Sequence, residues 1–293
     1  MAVGEPRLKT PGDHGRLGAL QVAGAALLWS TGGIAIKALP GPPLPVAFYR
    51  SALAAVALLL FLRPGWRRPT PVFAVALVSY AACLTTFVVA TKWTTAANAI
   101  FLQYSGVVWV LLASPLVAKE PLRGRDAIAV AVAFAGMALF FVGKFHAPGR
   151  GDLVALASGV FFAALVLSLR LEHGGGAEAA VTYGNVLTAI CLFPFVRDQL
   201  AVSPRSAAIL VFLGVIQLAA AYVLFVRGLR HVTATQASLI GMLEPICNPI
   251  WVFLFLGERP GGFAILGGAV VLGAVAWRTF GARATEAEIA PPD

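Results

Sequence analysis

Long apolar stretches, separated by charges, prolines and glycines, follow one another along almost the whole chain. A helix needs about 20 predominantly apolar residues to cross the hydrocarbon core of a bilayer. Cutting the sequence at its polar breaks gives stretches of about that length near 16–38, 44–62, 71–90, 95–118, 125–142, 152–170, 178–196, 206–226, 233–256 and 262–280. The pattern predicts an all-α membrane protein of ten transmembrane helices. Pro194 interrupts the seventh stretch, which leaves nine helices as an alternative.

The composition excludes an ordinary soluble domain. Hydrophobic residues make up 59% of the chain and charged residues 12%, against about 25% charged in soluble domains. The net charge of +9 comes from basic residues that stand singly or in pairs between apolar stretches, so no nucleic-acid partner is predicted. Cys83, Cys191 and Cys247 lie far apart in apolar stretches. They predict neither a disulfide framework nor a metal site, and no cofactor is predicted.

The distribution of basic residues predicts the orientation. With the N-terminus in the cytoplasm, the inner connections and tails hold fourteen Lys and Arg residues and the outer ones seven. Because cytoplasmic segments are enriched in these residues, both termini are predicted to be cytoplasmic. Residues 1–15 and 281–293 are predicted to be mobile tails.

The two halves of the chain resemble each other. A shift of 138 residues aligns 81–132 with 219–270 and pairs Thr95 with Thr233 and Glu120 with Glu258. The sequence therefore predicts a first five-helix repeat at 1–146 and a second at 147–293. Since five is odd, the second repeat enters the membrane in the opposite sense, as in the inverted repeats of secondary transporters.

The ninth stretch carries a carboxyl group at membrane depth. Glu244 shares one helical face with residues spaced by about one turn, namely Ala237, Gly241, Asn248 and Trp251. An intramembrane acid is costly unless it is protonated, paired or hydrated. Pro245 and Pro249 interrupt the same helix and are candidate hinges. Glu244 could cap a kink, contact the substrate or carry a proton, and all three interpretations stay open.

The repeat also predicts a partner face in the fourth stretch. The 138-residue shift maps the Gly241 position onto Gln103, which either lines the same site or forms an interhelical hydrogen bond. Tyr104 is its neighbour. Further candidate substrate-binding residues are hydrogen-bonding or aromatic groups in other stretches: Trp29, Tyr80, Gln217, Tyr222, Asn248 and Trp251.

Two features of the first and second stretches remain. Gly32 and Gly33 interrupt the first stretch and predict a hinge or close helix packing. Arg50 is the one basic residue well inside a stretch, and it either extends towards the outer surface, forms a structural pair or attracts an anionic group. The site is predicted to lie between the halves, on stretches 1, 3, 4, 6, 8 and 9.

Several motifs of membrane enzymes and pumps are missing. The sequence has no phosphate-binding loop of the form G-x-x-x-x-G-K-[ST], no H-E-x-x-H and no G-x-S-x-G. All four histidines fall in tails or connections. An enzyme acting on a lipid is therefore the weaker class, and a passive channel or sensor is a third alternative.

Four sequence segments carry a resemblance to a known family: NAIFLQYSGVVWVLLASPLVAKEPL at 98–122, QASLIGMLEPICNPIWVFLFLGERP at 236–260, ALLWS near Trp29 and FYR ending at Arg50. They resemble the EamA-type members of the drug/metabolite transporter superfamily. The pattern is most similar to the YddG-like aromatic amino-acid exporters. The resemblance implies a bacterial inner-membrane carrier that exports aromatic or other neutral amino acids by alternating access. A drug, nucleoside or sugar derivative is the alternative solute. The resemblance is compatible with proton-coupled and with uncoupled transport. It is also compatible with a monomer and with a weak dimer. Val107 stands where many relatives have a proline, which predicts less bending in the first repeat.

Overall fold

The computed structural model describes residues 11–65, 70–121, 123–139, 149–256 and 262–280, and these residues are helical without a strand. The α-helices are α1 Pro11–Trp29, α2 Gly32–Ala38, α3 Pro43–Leu62, α4 Pro71–Trp93, α5 Ala96–Gln103, α6 Gly106–Val117, α7 Gly124–Leu139, α8 Arg150–Leu171, α9 Gly176–Val196, α10 Pro204–Val211, α11 Ala221–Leu229, α12 Ala234–Gly241, α13 Leu243–Leu256 and α14 Gly262–Phe280. A short 3₁₀ helix covers Arg197–Gln199, and a π-helical segment, Phe212–Ala220, joins α10 to α11.

A helix occupies each of the ten predicted stretches. Within the described residues, seven helical segments are long and apolar enough to cross a membrane: His14–Ala38, Pro43–Leu62, Pro71–Trp93, Ala96–Val117, Arg150–Leu171, Gly176–Gln199 and Pro204–Leu229. The chain is therefore a multi-pass membrane protein. The helices of the other three stretches, α7, α12 with α13, and α14, fall short of that criterion over the described residues, so the count of ten crossings stays a prediction. Helix α1 begins at Pro11, five residues before the predicted first stretch, and the predicted tail at 281–293 lies outside the described residues.

The helix starts follow from local sequence. The side chains of Thr70, Thr95, Ser203 and Thr233 each accept a hydrogen bond from the backbone N–H three residues further on. Each of these contacts satisfies a donor that the first turn of a helix leaves free. Prolines occupy the first turns of α3, α4 and α10, where a missing N–H costs nothing.

Helix breaks recur at matching positions in the two halves. Helices α5 and α12 begin and end 138 residues apart, and each follows a capping threonine. The helix is interrupted after Gln103 in the first half and after Gly241 in the second half. The first break forms without a proline. A Cβ on Gly106 would lie 2.5 Å from the carbonyl oxygen of Gly159, so close packing of α8 requires glycine there.

The most extensive helix contacts join the two halves of the chain. They are α4 with α8, α7 with α14, α3 with α9 and α1 with α11. Under the 138-residue shift, α4 with α8 corresponds to α11 with α1, while the other two pairs map onto themselves. The buried surface therefore lies mainly between the halves.

Polar contacts at the helix ends give the direction of the neighbouring helices. The Tyr49 hydroxyl, near the start of α3, donates to the carbonyl of Leu200 just beyond α9 at 2.6 Å. The Tyr183 hydroxyl, near the start of α9, donates to Pro64 O just beyond α3 at 3.1 Å. Helices α3 and α9 therefore run antiparallel. Asp126 in the first turn of α7 likewise forms a buried ion pair with Arg278 in the last turn of α14.

Candidate functional site

A small cavity lies where the two halves meet. Its free volume is about 30 Å³, room for about two water molecules. Helices from both halves line it, and the lining residues are Trp29, Arg50, Cys83, Leu84, Phe87, Gln103, Phe162, Gln217, Tyr222 and Glu244.

Glu244 is held at the break of the second half. Its carboxyl group is buried, with 6% of the residue exposed, and Oε2 lies 2.8 Å from the Tyr104 hydroxyl. The same hydroxyl lies 2.5 Å from the carbonyl oxygen of Gly241. Proline at 245 has no N–H for the carbonyl four residues earlier, which is that of Gly241. Tyr104 therefore satisfies the acceptor that Pro245 frees.

The Tyr104 hydroxyl cannot donate hydrogen bonds to both Gly241 and Glu244 at the same time. A tyrosine hydroxyl has one hydrogen, and a backbone carbonyl only accepts. When the hydroxyl donates to Gly241, its contact with Glu244 becomes a hydrogen bond only if the carboxyl group carries the proton. A deprotonated Glu244 instead competes with Gly241 for the same hydrogen.

Arg50 lies on the facing part of the wall. Only 3% of the residue is exposed, and its Nε and Nη2 donate to Gln217 Oε1 at 3.2 and 2.7 Å. Gln217 Nε2 in turn donates to the carbonyl of Trp29 at 3.1 Å. A Cβ on Gly32 would lie 2.5 Å from that nitrogen, so glycine makes room for the amide. Arg50 thus neither reaches the surface nor pairs with a described carboxylate.

Gln103 forms a second polar cluster on the wall. Its Nε2 donates to Ser158 Oγ at 2.8 Å, and Ser158 lies across the interface between the halves on α8. The Cys83 sulfur lies 3.6 Å from the same nitrogen. Gln103 therefore forms an interhelical hydrogen bond and also lines the cavity.

Aromatic rings form another part of the wall. The Trp29 and Tyr222 rings are 5.0 Å apart between centroids, and Tyr80 packs 4.9 Å from Tyr222. The Tyr80 hydroxyl accepts from Asn185 Nδ2 at 2.7 Å, behind the lining layer. Tyr80 therefore supports Tyr222 rather than facing the cavity.

The remaining predicted residues lie at the helix breaks. Trp251 Nε1 donates to Ser30 Oγ at 2.6 Å, which ties α13 to the break between α1 and α2. That break immediately precedes Gly32 and Gly33, both buried in α2. The backbone of Asn248 and Pro249 continues α13, but their side chains lie outside the described residues.

Five predicted residues line the cavity: Trp29, Gln103, Gln217, Tyr222 and Glu244. The prediction missed five lining residues, namely Arg50 of the second stretch, Cys83, and the apolar residues Leu84, Phe87 and Phe162. Arg50 carried a sequence signal because it is the one basic residue deep inside a stretch. The apolar residues carried none, since similar residues occur throughout the membrane. Among the described residues, no group of three His, Cys, Asp or Glu side chains could hold a metal.

The multi-pass bundle and its internal polar cavity define a membrane transport protein as the class. The sequence model of the EamA-like transporter family matches two consecutive parts of the chain, residues 16–142 and 149–280, and the chain belongs to that family. An uncharacterized transporter of Archaeoglobus fulgidus is 27% identical over 80% of this chain and 86% of its own length. The uncharacterized transporter YwfM of Bacillus subtilis is 29% identical over 88% of this chain and 92% of its own. A protein crystal structure superposes with a TM-score of 0.76 at 20% identity, covering 92% of this chain and 98% of that one, which shows a shared fold.

Proposed function

We propose that this protein is a secondary transporter that exports small neutral metabolites, aromatic or other hydrophobic amino acids in particular, by alternating access. The observation that carries the proposal is the small internal cavity that residues of both halves line together. Its wall combines aromatic rings with a few hydrogen-bonding groups, a combination that suits a small solute with one flat apolar part and one polar part.

The proposal includes two inverted five-helix repeats with both termini in the cytoplasm of a bacterial inner membrane. The family model matches each half of the chain separately. Helices α5 and α12, with their capping threonines, occur 138 residues apart, and the contacts between the halves follow the same relation. The antiparallel neighbours agree with ten alternating crossings. These observations support the pseudo-twofold arrangement of inverted-repeat transporters.

Transport requires the cavity to open, because 30 Å³ holds no amino acid. The helix breaks beside Gly32, Gly106 and Met242 interrupt helices that contact the cavity. A break absorbs a backbone rotation at lower cost than an intact helix, since fewer hydrogen bonds are lost. We place the hinges of the alternating movement there.

Glu244 is proposed to carry a coupling proton. The groups that face it are the Tyr104 hydroxyl from the first-half break, Arg50 from α3 and Tyr222 from α11, with Cys247 one turn further along α13. A protonated carboxyl group completes the hydrogen bonds around Tyr104. A deprotonated one competes with Gly241 for the hydroxyl hydrogen, which favours a different arrangement of the break.

The test is counterflow in proteoliposomes. Vesicles loaded with unlabelled solute are diluted into labelled solute, and uptake is measured for Phe, Tyr and Trp against Asp and Lys. The proposal expects saturable exchange that is fastest for the aromatic amino acids. Protein-free vesicles are the control. Absence of exchange for every neutral amino acid contradicts the substrate claim, and a parallel panel of drugs, nucleosides and sugar derivatives then identifies the solute class. Flux without saturation contradicts the carrier.

A further inference from the structure

Arg50 keeps part of its hydrogen-bonding capacity unused. It lies in the second turn of α3, on the cavity wall, with 3% of the residue exposed. Its Nε and Nη2 donate to the same oxygen of Gln217. Its Nη1 is buried and has no hydrogen-bond partner among the described residues. A guanidinium has five N–H donors, so the edge formed by Nη1 and the second hydrogen of Nη2 remains open.

The charge of Arg50 also forms no direct ion pair among the described residues. Within the described part of the chain, no carboxylate lies at ion-pairing distance from the guanidinium. Glu244, on the same cavity wall, is instead engaged by the Tyr104 hydroxyl. A cation without a partner is costly to keep inside a membrane protein, and such residues mark solute pathways. A positively charged side chain with one unpaired, buried edge therefore borders the cavity.

Gln217 fixes the direction of that edge. Its Nε2 donates to the Trp29 carbonyl, so its Oε1 must face the guanidinium. Gln217 lies in the π-helical segment Phe212–Ala220. Such segments are frequent at functional sites because they redirect a side chain within a helix. Gln217 thus acts as a clamp that binds one edge of the Arg50 guanidinium, and the other edge remains available to a ligand.

We propose that the open edge of Arg50 is the subsite for the carboxylate of the transported solute. The proposal rests on the function proposed above, and it names α-amino acids with a free carboxylate as the substrate class. The planar donors of arginine match a carboxylate through two parallel N–H···O bonds. The rings of Trp29 and Tyr222, on the same wall, then contact the side chain of the solute.

The test compares solutes that differ only in the carboxylate. In wild-type proteoliposomes, L-phenylalanine, L-phenylalaninamide and phenethylamine compete with labelled L-phenylalanine. Loss of charged hydrogen bonds is expected to weaken competition by about tenfold or more. Equal competition by phenylalanine and its amide overturns the subsite, and this comparison needs no variant.

Two variants locate the effect. Arg50→Gln is expected to weaken phenylalanine competition by about tenfold or more and to abolish the preference over the amide. Arg50→Lys keeps the charge without the paired donors and is expected to retain part of the preference. The matched control is Arg63→Gln at the exposed end of the same helix, which leaves the preference intact. A preference that survives in Arg50→Gln contradicts the proposal.

A binding measurement separates this inference from the transport proposal. Thermal unfolding of the detergent-purified protein is recorded with each of the same compounds and with neutral metabolites that carry or lack a carboxylate. If no amino acid is exchanged, but carboxylate-bearing solutes stabilise wild type and not Arg50→Gln, the amino-acid transport claim fails and the subsite stands. If carboxylate-bearing and carboxylate-free solutes give wild type equal shifts, or no shift, the subsite is wrong.

Discussion

The Tyr104 hydroxyl lies 2.5 Å from the carbonyl oxygen of Gly241, 137 residues away in the chain. Tyr104 directly follows α5 and Gly241 is the last residue of α12, so this contact joins the helix breaks of the two halves. The carbonyl is available because Pro245 has no N–H to offer it. The same hydroxyl reaches Glu244. A movement of either half relative to the other therefore changes the surroundings of the buried carboxyl group.

Removal of the Tyr104 hydroxyl tests this connection. Tyr104→Phe leaves the Gly241 carbonyl buried without a donor, which costs about 1–3 kcal/mol of stability. We expect a lower unfolding temperature and slower exchange. The matched control is Tyr49→Phe, which removes a hydroxyl bonded to Leu200 O near the end of the bundle. Water replaces that hydrogen bond more readily, so the control variant loses less stability and less exchange activity. Equal losses for the two variants contradict the special role of the contact between the breaks.

Glu244→Gln tests the coupling proton. The amide keeps the size of the side chain and supplies permanent hydrogens for Tyr104, so the protein folds and exchanges substrate. We expect a pH gradient to drive accumulation in wild-type vesicles and to have no effect on the variant. Glu178→Gln is the control, because Glu178 pairs with Arg230 outside the cavity, and it keeps the wild-type pH response. If Glu244→Gln transports with unchanged pH dependence, the coupling proton is contradicted and Glu244 has only a structural role at the kink.

Gly32→Ala tests the clamp on Arg50. A Cβ at this position meets Gln217 Nε2 at 2.5 Å, so the amide must move and release the guanidinium. Crowding of this kind costs about 1–3 kcal/mol of stability. Release of the guanidinium is expected to weaken substrate competition by roughly fivefold or more. Gly24→Ala in α1 is the matched control, since its Cβ meets only the end of Leu224 at 3.4 Å. Competition assays that give both variants wild-type affinity contradict the clamp.

The buried ion pair of Asp126 and Arg278 tests the packing of α7 on α14. Replacement of either partner by a neutral amide leaves one buried charge alone, at a cost of about 3–5 kcal/mol. The double replacement is expected to cost less than the two single replacements together. Arg197 and Asp198 form an exposed pair whose removal leaves the unfolding temperature unchanged. Additive effects at Asp126 and Arg278 contradict a direct pair.

Sequence reasoning reached the helices more readily than the site. Inside a bilayer every backbone polar group must be satisfied within the helix, so hydropathy alone places the helices. The break after Gly241 follows from Pro245 four residues later. The break before Gly106 does not follow from the sequence, because it depends on the carbonyl of Gly159 in another helix. The expectation of less bending in the first repeat, based on Val107, took no account of this contact.

Arg50 shows the same limit at the site. Its depth in the second stretch is visible in the sequence, and this depth suggested either a structural pair with another residue or a site for an anionic group. Its partner, Gln217, is 167 residues away and is brought to it only by the packing of α3 on the π-helical segment. The sequence could predict that Arg50 needs a partner but could not identify the side chain or the unused edge.

The central claim is that one cavity between the halves opens alternately to the two sides of the membrane. Cys83 lies on its wall, and Cys191 and Cys247 can be replaced by serine to leave it as the single thiol. A small membrane-impermeant thiol reagent is added to one side or the other of oriented vesicles, with the cysteine-free protein as control. The account predicts labelling of Cys83 from each side, slowed on both by saturating phenylalanine. Labelling from one side only, or from neither, would contradict it.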